Sequence, residues 1–296
     1  MNKCLFIVSI SAALSFPATA VDVSPPSWWA GMQSHQLQLM LHEDNIASAN
    51  ISVPDDAVTI TGTEQSDSDN YLFVNLDTRK VRPGTITFTA SWPDGHTETF
   101  DYTFNERQEK SASREGFSSK DAIYLIAPDR FANGDPSNDN VKGYADQANR
   151  KHPGGRHGGD IQGIINHLEY IASMGFTQIW TMPLLENDMD KYSYHGYSTT
   201  DYYQIDPRFG TNEQYQALSE RASEKGVGVI MDMVLNHIGS GHIWMQDPPS
   251  SDWVHNNGQF TPTSHRREAL HDPHAAESDI TGFADGWFVP TMPDLN

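Results

Sequence analysis

Cysteine, basic residues and long apolar runs are what this chain of 296 residues has least of. A single cysteine, Cys4, excludes a disulfide framework within the chain, so stability has to come from packing or from bound ions. Lysine and arginine number 19 against 39 aspartates and glutamates, a formal charge of −20 with a pI near 4.8. A chain this acidic repels nucleic-acid phosphates and anionic membrane surfaces, and neither is expected as a partner. A neutral, hydroxyl-rich ligand or a cation suits that charge better. The apolar run at the N-terminus, Leu5 to Leu14, is too short to cross a bilayer, which takes about 20 residues. What the chain does have is 7 tryptophans, 11 tyrosines and 13 histidines, side chains with flat apolar faces and polar edges. These suit sugar rings, and they also fill cores.

The short apolar run follows one positive charge, Lys3, and precedes the small-residue ending Ala18-Thr19-Ala20. Charge, run and ending in that order are the three parts of a secretory signal, which predicts a signal peptide over residues 1–20 and a secreted or periplasmic protein. Cys4 precedes the run and so does not read as a lipid anchor. The length that remains exceeds one average domain, and two domains are expected.

From Ser27 to about Phe104 the apolar pattern alternates. Leu37, Leu39 and Leu41 share one side of a strand, Ile86 and Phe88 do the same, and Phe100, Tyr102 and Phe104 follow the turn Pro93-Asp94-Gly95. Period-two strands with no helical stretch between them predict a β-sandwich of immunoglobulin-like size over residues 21–112, with a polar linker from Asn105 to Ser119. The period then changes. Ile123 to Ala127 reads as a strand, and Asp160 caps a helix whose face carries Ile164, Ile165, Leu168, Ile171 and Met174 before Gly175 stops it. Phe176 to Met182 reads as a second buried strand. Thr211 and Gln214 form a capping box for a helix bearing Tyr215, Leu218 and Ala222, Gly226 ends it, and Val227 to Leu235 reads as a third strand. Strands alternating with helices predict a parallel sheet, either doubly wound or part of a (β/α)8 TIM barrel. No G-x-G-x-x-G follows the first strand, and polar, glycine-rich segments follow the carboxyl ends of all three, which favours the barrel.

Three motifs carry a resemblance. The third strand runs into DMVLNH, Asp232 to His237; the loop after the second contains YHGYSTTDYYQIDPRFGT, Tyr194 to Thr211; the first leads through DRFANGDPSND, residues 129–139, to HGGD, residues 157–160. In this order they resemble the α-amylase superfamily, glycoside hydrolase family 13. The ending DGWFVPTMPDLN, Asp285 to Asn296, and the start PPSWWAGM, Pro25 to Met32, make the chain similar to the cyclomaltodextrinase and neopullulanase group. The resemblance implies the first part of the catalytic barrel over residues 113–237, an incomplete barrel, and the start of an excursion domain (domain B) over 238–296.

By that resemblance His237 hydrogen-bonds the sugar where cleavage occurs, Tyr197 is the stacking platform beneath the same sugar with His195 beside it, and Asp232 is a buried acceptor that orients an arginine. For Asp232 a purely structural role is an equal reading, since an aspartate inside an apolar strand must be paired. The resemblance also implies a calcium ion held by Asn133, Asp135, Asn138, Asp139, Asp160 and the Gly158 carbonyl, a hard-oxygen set of the kind calcium takes. Asn236 matches a further calcium ligand in some relatives. The histidines of 238–296 have no convincing ligand spacing and read as groove lining or surface.

Retaining glycosidases need a nucleophile and an acid/base carboxylate about 5 Å apart. In this family they come from later strands than the third, so no catalytic residue is assigned and the chain as given is expected to be an inactive fragment. The function implied for the whole protein is hydrolysis of α-1,4-linked glucans or cyclodextrins, with dimerisation through the N-terminal domain; a non-catalytic glucan-binding protein is the alternative.

Overall fold

The structure, a computed structural model, describes residues 21–54, 56, 58–264, 267–281 and 286–296. The signal segment 1–20, with Cys4, lies outside the described residues. Two compact units divide in sequence at Glu106 and Arg107, except that Gln65–Ser68 group with the second.

The first unit contains β1 (Asp22–Ser24), β2 (Ser27–Trp29), β3 (Gln36–His42), β4 (Asn50–Ser52), β5 (Thr59–Gln65), β6 (Tyr71–Asp77), β7 (Gly84–Ser91) and β8 (Thr97–Asn105). They form two four-stranded sheets, ordered β1-β3-β6-β5 and β2-β8-β7-β4. The alternation read from the sequence puts Leu37, Leu39 and Leu41 on the buried side of β3, opposite Leu76, Val74 and Leu72 of β6. Ile86, Phe88, Phe100, Tyr102 and Phe104 from the other sheet complete one apolar cluster with them, in which Phe88 and Phe100 stack at 5.3 Å. Trp92 and His96 close the turn between β7 and β8, where Gly95 takes a φ of 92°.

In the second unit β9 (Ile123–Ile126), β10 (Gln178–Thr181) and β13 (Gly228–Ile230) form a parallel sheet with β10 in the centre. Between them lie α1 (Pro128–Phe131), α2 (Ile161–Asn166), α3 (Leu168–Ser173), an antiparallel pair β11 (Leu185–Glu186) and β12 (Asp201–Ile205), and α4 (Asn212–Glu224). Helix residues Ile161, Ile164, Leu168, Ile171, Leu218 and Ala222 pack with Ile126 and Ile179 of the sheet. The Asp160 cap and the full Thr211–Gln214 capping box are both formed.

Three expectations are corrected. The first helix is broken at His167 (φ −111°, ψ 9°) into α2 and α3, the ring nitrogen Nδ1 lying 2.7 Å from the Gly163 carbonyl, and Met174 leaves the buried face at 42% exposure. The second strand alternates rather than being buried throughout: Ile179 and Thr181 are inside while Trp180 is 39% exposed. The third strand covers three residues, not nine. Only Gly228–Ile230 find partners on β10, and Met231, Met233 and Leu235 beyond them are exposed. The β11–β12 pair was not anticipated, because β11 spans only two residues.

After residue 237 the chain contributes α5 (Glu268–His271), α6 (Glu277–Thr281) and a small cluster of Ile238, Val254 and Trp287. Isolated bridges pair His237 with Asp294 and Val254 with Leu295.

Candidate functional site

Beyond the carboxyl end of β9, Asp129 is buried and its carboxylate accepts the backbone N–H groups of His157 at 2.9 Å and Gly158 at 3.2 Å. This folds HGGD back onto DRFANGD. Asp160, also buried, accepts Gly134 N–H at 3.0 Å, Asp135 N–H at 2.7 Å and, as the α2 cap, Gly163 N–H at 2.6 Å. Its carboxylate thus ties three backbone N–H groups of the loop and of α2 together. Asp135 accepts the Ser137 N–H at 3.0 Å and the Ser137 hydroxyl at 2.6 Å, which hold its carboxyl below the usual range.

The remaining oxygens behave differently. Asn133 donates to Asp139 at 2.6 Å, yet Asn133 Oδ1 and Asn138 Oδ1 are both buried and accept no hydrogen bond. Gly158, at φ 85°, passes so close that a Cβ there would lie 2.3 Å from Asp139 Oδ1. Unpartnered amide oxygens on this loop, one of them on the Asn133 side chain that meets Asp139, are hard donors of the kind a cation such as calcium takes, since buried polar atoms without partners are costly.

The second cluster lies beyond β10 and β13. Tyr197, His195, His237 and Asp232 come together as the motifs imply, and the structure adds Trp180. The Tyr197 hydroxyl donates to Asp232 Oδ2 at 3.3 Å and the Trp180 indole donates to the same oxygen at 3.1 Å. Asp232 is half-buried on the segment after β13, which corrects its expected place as a buried residue inside the strand. Trp180 lies outside the sequence motifs, and a second strand read as buried hides it; the alternation Ile179, Trp180, Thr181 is the signal that marks it.

The imidazoles have defined roles. His195 Nδ1 accepts the Tyr197 backbone N–H at 2.9 Å, so Nδ1 is unprotonated and Nε2 carries the proton. His237 Nε2 lies 2.8 Å from the Tyr197 carbonyl, which can only accept, so here Nε2 carries a proton. Burial, helped by the nearby His237, pushes the His195 pKa down and keeps it neutral. Burial and the Asp232 carboxylate push the Tyr197 phenol up. Beside one aromatic ring the chain therefore has a free N–H on the His195 imidazole and the second ring nitrogen of His237, polar groups of the kind sugar hydroxyls use. Arg130 braces this loop. Its guanidinium sits 4.0 Å over the Tyr194 ring, donates to the Pro153 and Gly155 carbonyls at 2.7 and 2.8 Å, and Tyr194 meets His195 edge-on at 5.6 Å.

From the far end of the chain, Asp294 holds the base of the same cluster. It is buried, accepts from Asn236 Nδ2, and bonds His255 Nδ1 at 2.6 Å. Asn236, matched to a further calcium ligand, thus meets this carboxylate. Of the histidines of 238–296, expected as groove lining or surface, His242 is buried, accepts the Trp244 N–H at 3.2 Å and packs on the Trp244 ring at 4.4 Å. Among the described residues no helix is long and apolar enough to cross a membrane.

A parallel β/α sheet with polar clusters beyond the carboxyl ends of its strands, joined to an all-β N-terminal unit, defines an α-amylase-type fold. The family model "Alpha amylase, catalytic domain" matches residues 125–295, and "Cyclomaltodextrinase, N-terminal" matches residues 22–108. The chain belongs to the α-amylase family, glycoside hydrolase family 13.

Among its relatives, the chain is 45% identical to a beta/alpha-amylase of Paenibacillus polymyxa over 147 residues, which are 48% of this chain and 12% of that protein. It is 37% identical to a cyclomaltodextrinase of Geobacillus thermopakistaniensis over 180 residues, 60% of this chain and 28% of the relative. It is 35% identical to neopullulanase 2 of Thermoactinomyces vulgaris over 150 residues, 50% and 25% of the two. The chain thus spans between 12% and 28% of the length of these relatives.

Proposed function

We propose that this chain supplies the sugar-binding half of a secreted or periplasmic α-glucan hydrolase that acts on α-1,4-linked glucans or cyclodextrins with retention of configuration. The observation that carries this reading is the Tyr197 ring flanked by the His195 and His237 imidazoles, beyond the ends of parallel strands. A pyranose lays its apolar face on an aromatic ring while its hydroxyls each need a donor and an acceptor. Asp232, held by Trp180 and Tyr197, gives the rim a carboxylate able to orient an arginine.

In this reading the two four-stranded sheets are an immunoglobulin-like sandwich through which the whole protein dimerises, the three parallel strands begin a (β/α)8 barrel, and residues 238–296 begin the excursion domain. The nucleophile and the acid/base carboxylate belong to later strands, and hydrolysis proceeds through a covalent glycosyl intermediate that water resolves. The N-terminal charge, apolar run and Ala18-Thr19-Ala20 ending support export. Calcium is held by Asn133, Asp135, Asn138, Asp139, Asp160 and the Gly158 carbonyl, as the orphaned amide oxygens support. Asp135 and Asp160 belong to the same ligand set and also fold the loop that presents it, since accepted N–H bonds leave lone pairs on their carboxylates. The ion would serve to fix that loop beside the strand ends.

The test is reducing-sugar release from cyclodextrin, starch and pullulan by this polypeptide and by the longer protein, with and without calcium. Release by the longer protein alone, lost in its Tyr197→Ala variant, is the expected result. Release by these 296 residues would overturn the assignment of the carboxylates to later strands, and silence in both would overturn the hydrolase reading.

A further inference from the structure

Away from the Tyr197 cluster, and sharing no lining residue with it, a cleft of about 460 Å³ opens beside Tyr144, Glu186, Gln204, Pro207 and Glu213. That volume is within the roughly 300–1,000 Å³ of small-molecule sites. Its aromatic wall is fixed from two directions. The Tyr144 hydroxyl donates to Glu186 at 2.6 Å, and the Arg208 guanidinium covers the ring at 4.6 Å from its centroid. Arg208 is itself fully buried, bonded to Asp206 at 2.9 and 2.7 Å and to the Asp146 and Asn187 carbonyls at 3.0 and 2.8 Å. A ring locked in this way presents its surface at little cost in conformational entropy.

The polar groups of the cleft select the ligand. Glu186 accepts from Tyr144 and, at 2.9 Å, from the Thr200 hydroxyl, which leaves lone pairs on both oxygens. Gln204 and Glu213 are exposed, and the Gln204 side chain makes no hydrogen bond to the described residues, so its amide offers both a donor and an acceptor. No basic side chain lines the cleft among the described residues, and two carboxylates repel an anion. A rigid aromatic face beside carboxylate and amide groups suits a neutral polyol ring.

We propose that this cleft is an accessory binding site for an α-linked glucan, separate from the Tyr197 cluster; the choice of glucan over other neutral sugars rests on the function proposed above. The site would hold a second stretch of a long chain and raise its local concentration near the first.

The probe is maltoheptaose, titrated into the 296-residue chain while its amide NMR spectrum is followed. The amides of Gln204, Asn212 and Glu213 should shift, and should still shift in Tyr197→Ala. Binding read at these amides should weaken about tenfold or more in Gln204→Trp, which fills the cleft from an exposed position, and in Glu213→Ala. If maltoheptaose moves the amides around Tyr197 but not those of the cleft, the accessory site is overturned and the proposed function stands. If no amide moves, both fall. If the cleft amides answer to calcium chloride and not to the sugar, the cleft is a cation site and the proposal is wrong.

Discussion

Burial holds two imidazoles of the second unit neutral. His242 is pushed down to about 4 from an ordinary 6.5 by desolvation, and His195 is lowered by desolvation and by His237. With the folded value depressed, the unfolded chain binds the proton more tightly. Stability is therefore fully present above about 6.5 and falls as the pH drops towards 4. Urea unfolding at neutral pH and near pH 4.5 should show that loss, and His242→Asn, which keeps a side-chain acceptor for the Trp244 N–H, should show less of it. Equal losses in both proteins would mean that other groups set the acid limit. His195 adds a functional consequence: protonating Nδ1 removes the acceptor for the Tyr197 N–H, so the platform loosens in acid.

At the scale of elements, the caps were legible and the interruptions were not. Asp160 and the pair Thr211 and Gln214 are local signals, decided by residues three apart in sequence, and the structure has both. The break at His167 and the stop of β13 after Ile230 depend on what lies beside them, which a periodic pattern does not contain. The same limit hid Trp180 and the Asp294 anchor, whose partners stand 52 and 58 residues away, whereas His195, Tyr197 and His237 were found because short motifs hold them. Gly163 shows neighbours overriding propensity. Alanine in a helix is ordinarily favoured over glycine by about 1 kcal/mol, but a Cβ at Gly163 would lie 1.9 Å from the Ala132 carbonyl. Gly163→Ala should destabilise the second unit by about 1–3 kcal/mol in denaturant titration, and a neutral or stabilising result would show that α1 yields easily.

For the molecule as a whole, the parallel sheet leaves one side uncovered. Leu125 at 57%, Trp180 at 39% and, past β13, Met231, Met233 and Leu235 at 39%, 46% and 70% are exposed, and among the described residues the outer edges of β9 and β13 have no ladder partner. Open edges beside apolar surface invite association. Sedimentation of the isolated chain should show self-association that strengthens with salt, because screening removes the repulsion of a formal charge of −20. Leu235→Lys with Met233→Glu should shift it towards monomer; a wild-type chain that stays monomeric at high salt would count against the exposed stripe.

The knot at Asp294 bears on how this region can change over evolutionary time. It ties Asn236 to a partner 58 positions along, so everything between behaves as a ring closed at its neck. The entropy of closing such a ring rises only with the logarithm of its length, about 0.6 kcal/mol per doubling. Residues added at the exposed stretch near Gln259 and Phe260 would cost a small fraction of that and leave His237 where it is. The molecule can thus lengthen or redecorate this segment cheaply, keeping the neck and rewriting the rest.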